Sequence, residues 1–210
     1  MTANNHSAAD AADQVDPAAK ILPPKYLAHV VLRTANFRPM VDFWATFLGG
    51  SITYGNDKLA FITYDEEHHR VAILNLPESG PKDATSSGLA DKADPPTEHV
   101  AFGFSTIDDL ALAYTQRKAR GIVPGWCVNH GPTTSLYYKD PDGNKIEMQV
   151  DNFATVQEAT AFFHTDEFAE NPIGVDFDPD ELVRRLRDGE DRKEILKRPR
   201  TGPRLNYKRY

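Results

Sequence analysis

The sequence predicts a mixed α+β fold built from two paired β-α-β-β-β modules, with a C-terminal helical tail. Three observations predict it. The order strand, helix and three strands occurs twice, in residues 25–77 and again in residues 98–150. Each repeat opens on a histidine before an apolar run, His29 in "LAHVVL" and His99 in "EHVAFGF". The segment between them, residues 78–97, is rich in Gly, Pro and Ser, which is typical of a linker.

The elements of the first module follow from local patterns. "LAHVVLRT" has the β-branched content of a strand, and "NFRPMVDFWATFLGG" has apolar residues at helical spacing. Pro39 suits the first turn of that helix, and Gly49 and Gly50 end it. Three strands complete the module: "SITYGN", "KLAFITY" and "RVAILNL".

The second module repeats this order. Its first strand is "HVAFGFS", its helix is "TIDDLALAYTQRKARG", and its last strands are "VPGWCVN", "TSLYYKD" and "NKIEMQV", with the tight turn "DPDG" before the last. If the two modules pair, they form a curved mixed sheet around a cleft that could hold a metal ion.

The segments outside the modules are of two kinds. Residues 1–24 are rich in Ala, Asp and Asn, and we expect a disordered or extended arm there. Residues 151–210 are expected to form a helical C-terminal extension, with a capping box in "TVQE" and a helix in "DPDELVRRLRDG". The last stretch, "DRKEILKRPRTGPRLNYKRY", is basic and reads as a solvated or subunit-embracing arm, with an acidic partner as the alternative.

Composition excludes several classes of function. The net charge of −7 argues against a nucleic-acid surface, which needs a basic patch. Cys127 is the only cysteine, so the chain has no disulfide framework and no thiolate metal cluster. The first residues lack the features of a signal peptide, and no apolar stretch approaches the roughly 20 residues that cross a bilayer. We therefore expect a cytoplasmic protein that binds neither nucleic acid nor membrane and, with exposed sheet edges, forms a homo-oligomer.

Three residues are candidate ligands for a metal ion. His29 and His99 open equivalent strands, and Glu147 lies in the last strand of the second module, where alternation turns it away from its apolar neighbours. Two imidazoles and one carboxylate suit non-haem Fe(II) and leave positions for a chelating substrate and O₂. Asn75, near the place of a fourth ligand, is a weak ligand, so a three-residue site is predicted. From the residues alone, structural roles for the histidines remain open.

A longer motif strengthens the metal interpretation. The stretch "VNHGPTTSLYYKDPDGNKIE", residues 128–147, resembles the signature of the type I extradiol ring-cleavage dioxygenases of the vicinal oxygen chelate superfamily. The wider resemblance covers residues 26 to 150, and "NPIGVDFDP" in the tail is similar to that of single-domain relatives of the biphenyl-diol dioxygenases. The residues that match the signature are His130, Leu136, Tyr137, Asp140, Pro141, Gly143 and Glu147.

The resemblance implies an Fe(II) enzyme that cleaves a catechol-type aromatic diol with O₂, as in the catabolism of aromatic hydrocarbons. By that resemblance, the iron ligands are His29, His99 and Glu147. His130 resembles the histidine that hydrogen-bonds the substrate or bound oxygen species, and Tyr137 resembles the tyrosine that contacts the substrate hydroxyl. Cleavage of the O–O bond also needs a proton donor, and a histidine at position 130 suits that role. Tyr138 is the competing candidate, because a slip of one residue would exchange the faces of the two tyrosines.

The chain departs from the family pattern at one point. Larger members have a second acid/base histidine before the second ligand histidine, and here that region reads "DATSSGLADKADPP". His68 and His69 are possible substitutes, and strand alternation should turn one toward the cleft and the other outward. A solvated turn is the alternative for both. Trp126 could wall an aromatic pocket, although core packing would suit it equally.

Two other functions fit the same fold. A glyoxalase- or epimerase-like lyase or isomerase would need a fourth protein ligand, for which the sequence offers no good candidate. A non-catalytic protein that binds small molecules in the same cleft would not need the set of two histidines and one glutamate.

Overall fold

The computed structural model describes residues 24–77 and 97–200. Nearly all of the predicted arm 1–24 and linker 78–97, and the last ten residues of the basic stretch, lie outside the described residues. Within the described residues, no helix is long and apolar enough to span a membrane.

The first module forms a four-stranded mixed sheet with one helix. In chain order its elements are β1 (Val30–Thr34), α1 (Phe37–Leu48), β2 (Ser51–Gly55), β3 (Leu59–Thr63) and β4 (Val71–Asn75). The strand order is β1-β4-β3-β2, with β1 and β4 parallel and the other pairs antiparallel. Gly49 ends α1 at φ 62°, and its amide bonds the carbonyls of Ala45 and Thr46.

The second module repeats this topology and gains a fifth strand. Its elements are β5 (Val100–Phe104), α2 (Ile107–Lys118), β6 (Trp126–Asn129), β7 (Thr133–Lys139) and β8 (Lys145–Asp151). A two-residue strand from the C-terminal extension, β9 (Val175–Asp176), pairs with β6, so the strand order is β5-β8-β7-β6-β9. The rest of the extension is helical: α3 (Val156–Phe162), α4 (Asp166–Glu170), α5 (Pro179–Arg187) and α6 (Arg192–Leu196).

The predicted helix caps of the extension are present. The Thr155 side chain accepts from the amide of Glu158, and the Glu158 side chain accepts from the amide of Thr155, which is a complete capping box. Asp178 caps α5 and Pro179 occupies its first position.

The order of the elements and the two mixed sheets confirm the mixed α+β class and the two β-α-β-β-β modules.

The two modules pack through their helix-covered sides. On α1, Trp44 donates from Nε1 to Asp140 Oδ2 over 3.1 Å, and the Phe47 ring lies edge-on to Tyr138 of β7 with centroids 5.1 Å apart. Arg117 of α2 bonds the carbonyl of Phe47. These contacts join the buried side chains of both modules into one apolar core.

This packing corrects the expected shape of the sheet. Instead of one curved sheet, the described strands form two separate sheets, because α1 and α2 occupy the space between them. The opposite face of each sheet carries exposed residues, including Val31 and Tyr54 in the first sheet and Ala101 and Gly103 in the second. The candidate histidines lie on these outer faces.

Strand register defines which positions of the two modules correspond. His29 and His99 each precede the first residue of the parallel pair, Val30↔Val71 in the first module and Val100↔Ile146 in the second. In the first module the residue after Val71 is Ala72, and in the second module the residue after Ile146 is Glu147. Ala72, and not Asn75, therefore stands where a fourth ligand would come, and alanine cannot bind a metal.

Candidate active site

His99 and Glu147 meet on the outer face of the second sheet. Glu147 pairs with Ala101 across the parallel strands, and His99 lies two residues before Ala101, so all three share a face. The Nε2 atom of His99 is 3.0 Å from Oε2 of Glu147. The Glu147 side chain is largely buried, and a buried carboxylate needs such a partner.

This separation fits two neighbouring ligands of one metal ion. Metal–nitrogen and metal–oxygen bonds are about 2.1 Å long, and two such bonds to atoms 3.0 Å apart enclose an angle of about 90°. A nitrogen and a carboxylate oxygen at that angle suit an octahedral ion. The donor set of His99 and Glu147 therefore fits a metal that binds imidazole and carboxylate.

Tyr137 and His130 continue the chain of polar contacts. Tyr137 lies opposite Glu147 in the β7–β8 register, and its hydroxyl donates to Glu147 Oε1 over 2.8 Å. The same hydroxyl is 2.9 Å from Nε2 of His130. On the other side of its ring, Nδ1 of His130 faces the carbonyl oxygen of Ile173. Because a carbonyl oxygen only accepts, Nδ1 carries a proton.

The hydrogen-bonded series Glu147–Tyr137–His130 can take up one more proton. The single phenolic proton of Tyr137 can serve either Glu147 or the lone pair on Nε2 of His130, but not both. A proton added at Nε2 would donate to the Tyr137 oxygen and satisfy both contacts. Burial lowers the pKa of His130, so the imidazole is neutral at neutral pH. The geometry thus makes His130 a proton acceptor.

A cleft of about 370 Å³ opens beside these groups. Trp126 forms one wall, stacked on Tyr137 with ring centroids 4.8 Å apart, and its Nε1 donates to Asp176 over 2.9 Å. An aromatic wall beside polar groups is typical of a site for an aromatic ligand. The cleft is lined by Glu98, His99, Trp126, His130, Tyr137, Lys145, Pro172 and Ile173.

The outer face of the first sheet has its own histidine pair. His29 lies beside His69, with ring centroids 4.4 Å apart, and His69 stacks on Phe61 at 4.3 Å. Burial and the neighbouring His29 and His68 lower the pKa of His69. The His68 side chain is 77% exposed beside Glu67. His68 and His69 both lie in the segment between β3 and β4, and their rings are in contact with centroids 4.4 Å apart. Opposite orientation by strand alternation was expected and does not apply to them, although His69 is buried and His68 is exposed.

The three predicted metal ligands are not gathered in one place. Among residues 24–77 and 97–200, no three His, Cys, Asp or Glu side chains are grouped so that they could hold a metal ion. His29 lies on the first sheet, and His99 and Glu147 lie on the second. The chain as described therefore presents two parts of the predicted ligand set on two separate faces.

Tyr138 does not belong to this site. Its side chain is 1% exposed and packs edge-on to Phe47 in the core, and burial raises its pKa. Tyr137, its neighbour in β7, points to the opposite face and contacts Glu147. The suggested role of Tyr138 in substrate binding is wrong, because strand alternation places only one of the two tyrosines in the cleft.

Asp140 of the "DPDG" turn has a structural role that the sequence did not indicate. Its carboxylate accepts from the amides of Asp142 and Asn144 at 3.0 and 2.9 Å, from Asn144 Nδ2 at 2.7 Å and from Trp44 at 3.1 Å. These bonds fix the turn that enters β8 and connect it to α1. Burial raises the pKa of Asp140, and these hydrogen bonds oppose that shift.

Residues of the C-terminal extension also reach the site, and sequence reasoning missed them. Ile173 and Pro172 line the cleft, and Asp176 holds Trp126. Arg198 bonds the carbonyl of His130 over 3.0 Å. The contact of Ile173 with His130 uses its backbone carbonyl, which leaves no sequence signal. Arg198 lies in a basic stretch whose sequence is typical of a solvated tail, so its sequence does not indicate a role at the site.

Comparisons with known proteins identify similar sequences. The sequence profile of the Glyoxalase/Bleomycin resistance protein/Dioxygenase superfamily matches residues 26–148. The chain is 46% identical over 157 residues to Biphenyl-2,3-diol 1,2-dioxygenase 2 of Rhodococcus globerulus. The alignment covers 74% of this chain and 78% of that protein. It is 41% identical over 174 residues to Biphenyl-2,3-diol 1,2-dioxygenase 3 of the same organism, which covers 82% of this chain and 87% of that protein.

Among solved structures, lactoylglutathione lyase from Agrobacterium tumefaciens matches 61% of this chain and 96% of its own, with a TM-score of 0.48 and 15% sequence identity.

Proposed function

Since this chain belongs to the Glyoxalase/Bleomycin resistance protein/Dioxygenase superfamily, we propose that it is an extradiol dioxygenase that opens the ring of a catechol-type aromatic diol with O₂. The two curated relatives are both named as biphenyl-2,3-diol dioxygenases, so biphenyl-2,3-diol is the first substrate to test. A lyase or isomerase, or a non-catalytic binding protein, is not favoured by these relatives.

The observation that carries the proposal is the unbroken chain of contacts His99–Glu147–Tyr137–His130 beside an aromatic wall. His99, the Tyr137 phenol and the neutral imidazole of His130 line one cleft, and the Glu147 carboxylate contacts both His99 and Tyr137. Cleavage of a catechol needs metal-binding groups and proton-accepting groups, because the metal must bind the oxygens of the diol and the diol must lose protons.

The metal of this proposal is Fe(II), held by His99, Glu147 and His29. When bound, Fe(II) supplies Lewis acidity toward the diol and the electron transfer to O₂ that aromatic ring cleavage requires. The remaining ligand positions of a two-histidine, one-carboxylate site are available for substrate and O₂.

The other residues handle the substrate. Trp126 offers a flat wall for an aromatic ring, and Tyr137 offers a hydroxyl to a substrate oxygen. His130, neutral at neutral pH, accepts a proton from the diol at Nε2 and returns it in a later step. His69, which lies beside His29, is the substitute for the missing acid/base histidine.

Because His29 lies on a different sheet from His99 and Glu147, the proposed site needs a second copy of the chain. The outer face of the first sheet presents His29 beside apolar and aromatic residues such as Val31, Phe61 and Tyr54, and Val31 and Tyr54 are about half exposed. In a homo-oligomer, this face of one copy covers the outer face of the second sheet of the next and brings His29 to the other two ligands.

Anaerobic purification, metal analysis and O₂ uptake with a panel of catechols test the function. We expect bound iron, ring-opened yellow products and one O₂ consumed for each diol cleaved. Glu147→Ala is expected to abolish iron binding, and Gln149→Ala, two residues along the same strand face, is the matched control. A protein that binds zinc tightly and consumes no O₂ with any diol would contradict the proposal.

A further inference from the structure

The C-terminal extension encloses His130 more closely than its sequence suggested. Strand β9 pairs with β6 immediately before the turn that carries His130, and Asn129 lies opposite Val175 in that ladder. Asn129 Nδ2 also donates to the carbonyl of Leu196 over 2.9 Å. Residues beyond the superfamily match thus contact both the backbone and the side chain of Asn129 at the start of the turn.

Glycine at position 174 permits this approach. Gly174 has φ 118°, and a Cβ atom there would lie 2.8 Å from Cα of His130 and clash with the carbonyl of Asn129. Asn171 fixes the same segment, because its Oδ1 accepts from the Gly174 amide over 2.9 Å and its Nδ2 donates to the Gly174 carbonyl over 2.8 Å. The carbonyl of Ile173 is thereby directed at Nδ1 of His130.

Arg198 connects this segment to the backbone of His130. One guanidinium nitrogen donates to the carbonyls of His130 and Asn171, at 3.0 and 2.7 Å. The other nitrogens bond the carbonyl of Glu167 at 2.9 Å and its carboxylate at 3.1 Å. The side chain is 2% exposed, and the guanidinium lies 5.0 Å from the ring centroid of Phe162.

From this geometry we infer that Arg198 is a positioning residue for proton transfer at His130. It holds the His130 backbone and the segment 171–173 in one geometry, and that segment supplies the carbonyl that keeps the proton on Nδ1. Nε2, which lies 2.9 Å from the Tyr137 hydroxyl, then carries the lone pair that accepts a proton. A planar fork with several donors suits this task, since it can bond carbonyls on two segments at once.

The inference rests on the proposed function for its kinetic consequence. Substitution of Arg198 releases the Ile173 carbonyl, so the His130 ring rotates and its tautomer is no longer selected. Proton acceptance becomes slower, while the metal ligands and the aromatic wall stay in place. We therefore expect a fall in kcat with little change in KM or in iron content.

Three variants of the full-length iron-loaded protein test this. Arg198→Met is expected to lower kcat per bound iron by at least about tenfold, with KM within about twofold. Arg198→Lys keeps the charge but not the fork, and its kcat is expected between those of Arg198→Met and the wild type. Arg200→Met is the matched control, because Arg200 pairs with Glu170 at 3.0 Å on the surface and should be dispensable.

Arg198→Met with wild-type kcat per iron would overturn the inference, as would a loss of iron that accounts for the whole loss of activity. Nitrogen-15 NMR of the wild-type histidines, with Zn²⁺ in place of iron, gives a decision even if the variants fail to fold. We expect His130 to carry its proton on Nδ1. A proton on Nε2 alone would refute the contact with Ile173 and the inference, whereas absence of diol cleavage in the wild type would refute only the proposed function.

Discussion

The hydroxyl of Tyr137 donates to Oε1 of Glu147 over 2.8 Å, while the other carboxylate oxygen of Glu147 faces His99 at 3.0 Å. One carboxylate therefore connects a metal-binding imidazole to a phenol, and the phenol contacts His130. In such a chain, a change in charge at one end alters the hydrogen bonds at the other.

Tyr137→Phe separates the contribution of the hydroxyl from that of the aromatic ring. The substitution keeps the stacking on Trp126 at 4.8 Å but removes the hydroxyl between Glu147 and His130. We expect retained iron and a kcat lowered by about 10–100-fold, the usual range for loss of a group that assists proton transfer. Steady-state kinetics per bound iron measure this.

The control for that substitution is Tyr138→Phe. Tyr138 is the next residue, but its side chain faces the core against Phe47 and not the cleft, so removal of its hydroxyl should leave kcat per iron unchanged. Equal losses of kcat in both variants would show that the effect of Tyr137 is not specific to the cleft.

The pH dependence of the rate should report His130. Burial places its pKa below the ordinary 6.5, so at pH 7 and above the ring is neutral and can accept a proton. As the pH falls through this lowered pKa, the ring becomes charged and kcat/KM should decline. His130→Gln should be slower and lack this acid limb, and exposed His68→Gln should retain it. An acid limb that persists in His130→Gln would assign it to another group.

The turn before Glu147 gives a prediction about stability. Asp140→Asn replaces one accepting oxygen by an amide that cannot accept from Trp44 or Asn144. The free energy of unfolding should fall by about 1–3 kcal/mol, because buried donors lose their partner. Urea unfolding at constant m value measures it. Asp151→Asn, at the exposed end of β8, should change it by less than about 0.5 kcal/mol.

Much of this site could be predicted because its logic is local. Alternation along β8 and the repeat of the β-α-β-β-β unit placed Glu147 and His99 on one face, and the structure has them in contact. The assignment of Tyr137 rested on the resemblance to the dioxygenase signature, in which the tyrosine lies ten residues before the final Glu, across a tight turn. Such features depend on strand period and turn length, which a sequence expresses directly.

What the sequence did not express depends on packing between distant segments. Nothing in "LAHVVL" indicates that α1 lies between the two sheets and separates His29 from Glu147. The contacts of Arg198 and Ile173 with His130 are long-range and largely made through carbonyl groups, which every residue has. The missing ligand position was misplaced at Asn75, because parallel register, and not distance along the chain, makes Ala72 the counterpart of Glu147.

If His29 of one copy completes the site of another, two inactive variants should restore each other. His29→Ala leaves the second sheet intact, and Glu147→Ala leaves the first sheet intact. When the two are co-expressed with different tags and the mixed oligomer is isolated, one site in each dimer unit holds His29, His99 and Glu147 together. We expect about half the iron of the wild type, and diol cleavage, where each variant alone has neither.

The matched control combines His99→Ala with Glu147→Ala. Both residues belong to the second sheet, so every site in the mixed oligomer lacks one of them, and neither iron nor activity should return. Should the His29→Ala and Glu147→Ala pair also fail while the wild type binds iron, the three ligands must come from one chain. In that case α1 would have to leave its place against Asp140 and Tyr138 when the metal binds, and Trp44→Phe would be expected to strengthen metal binding.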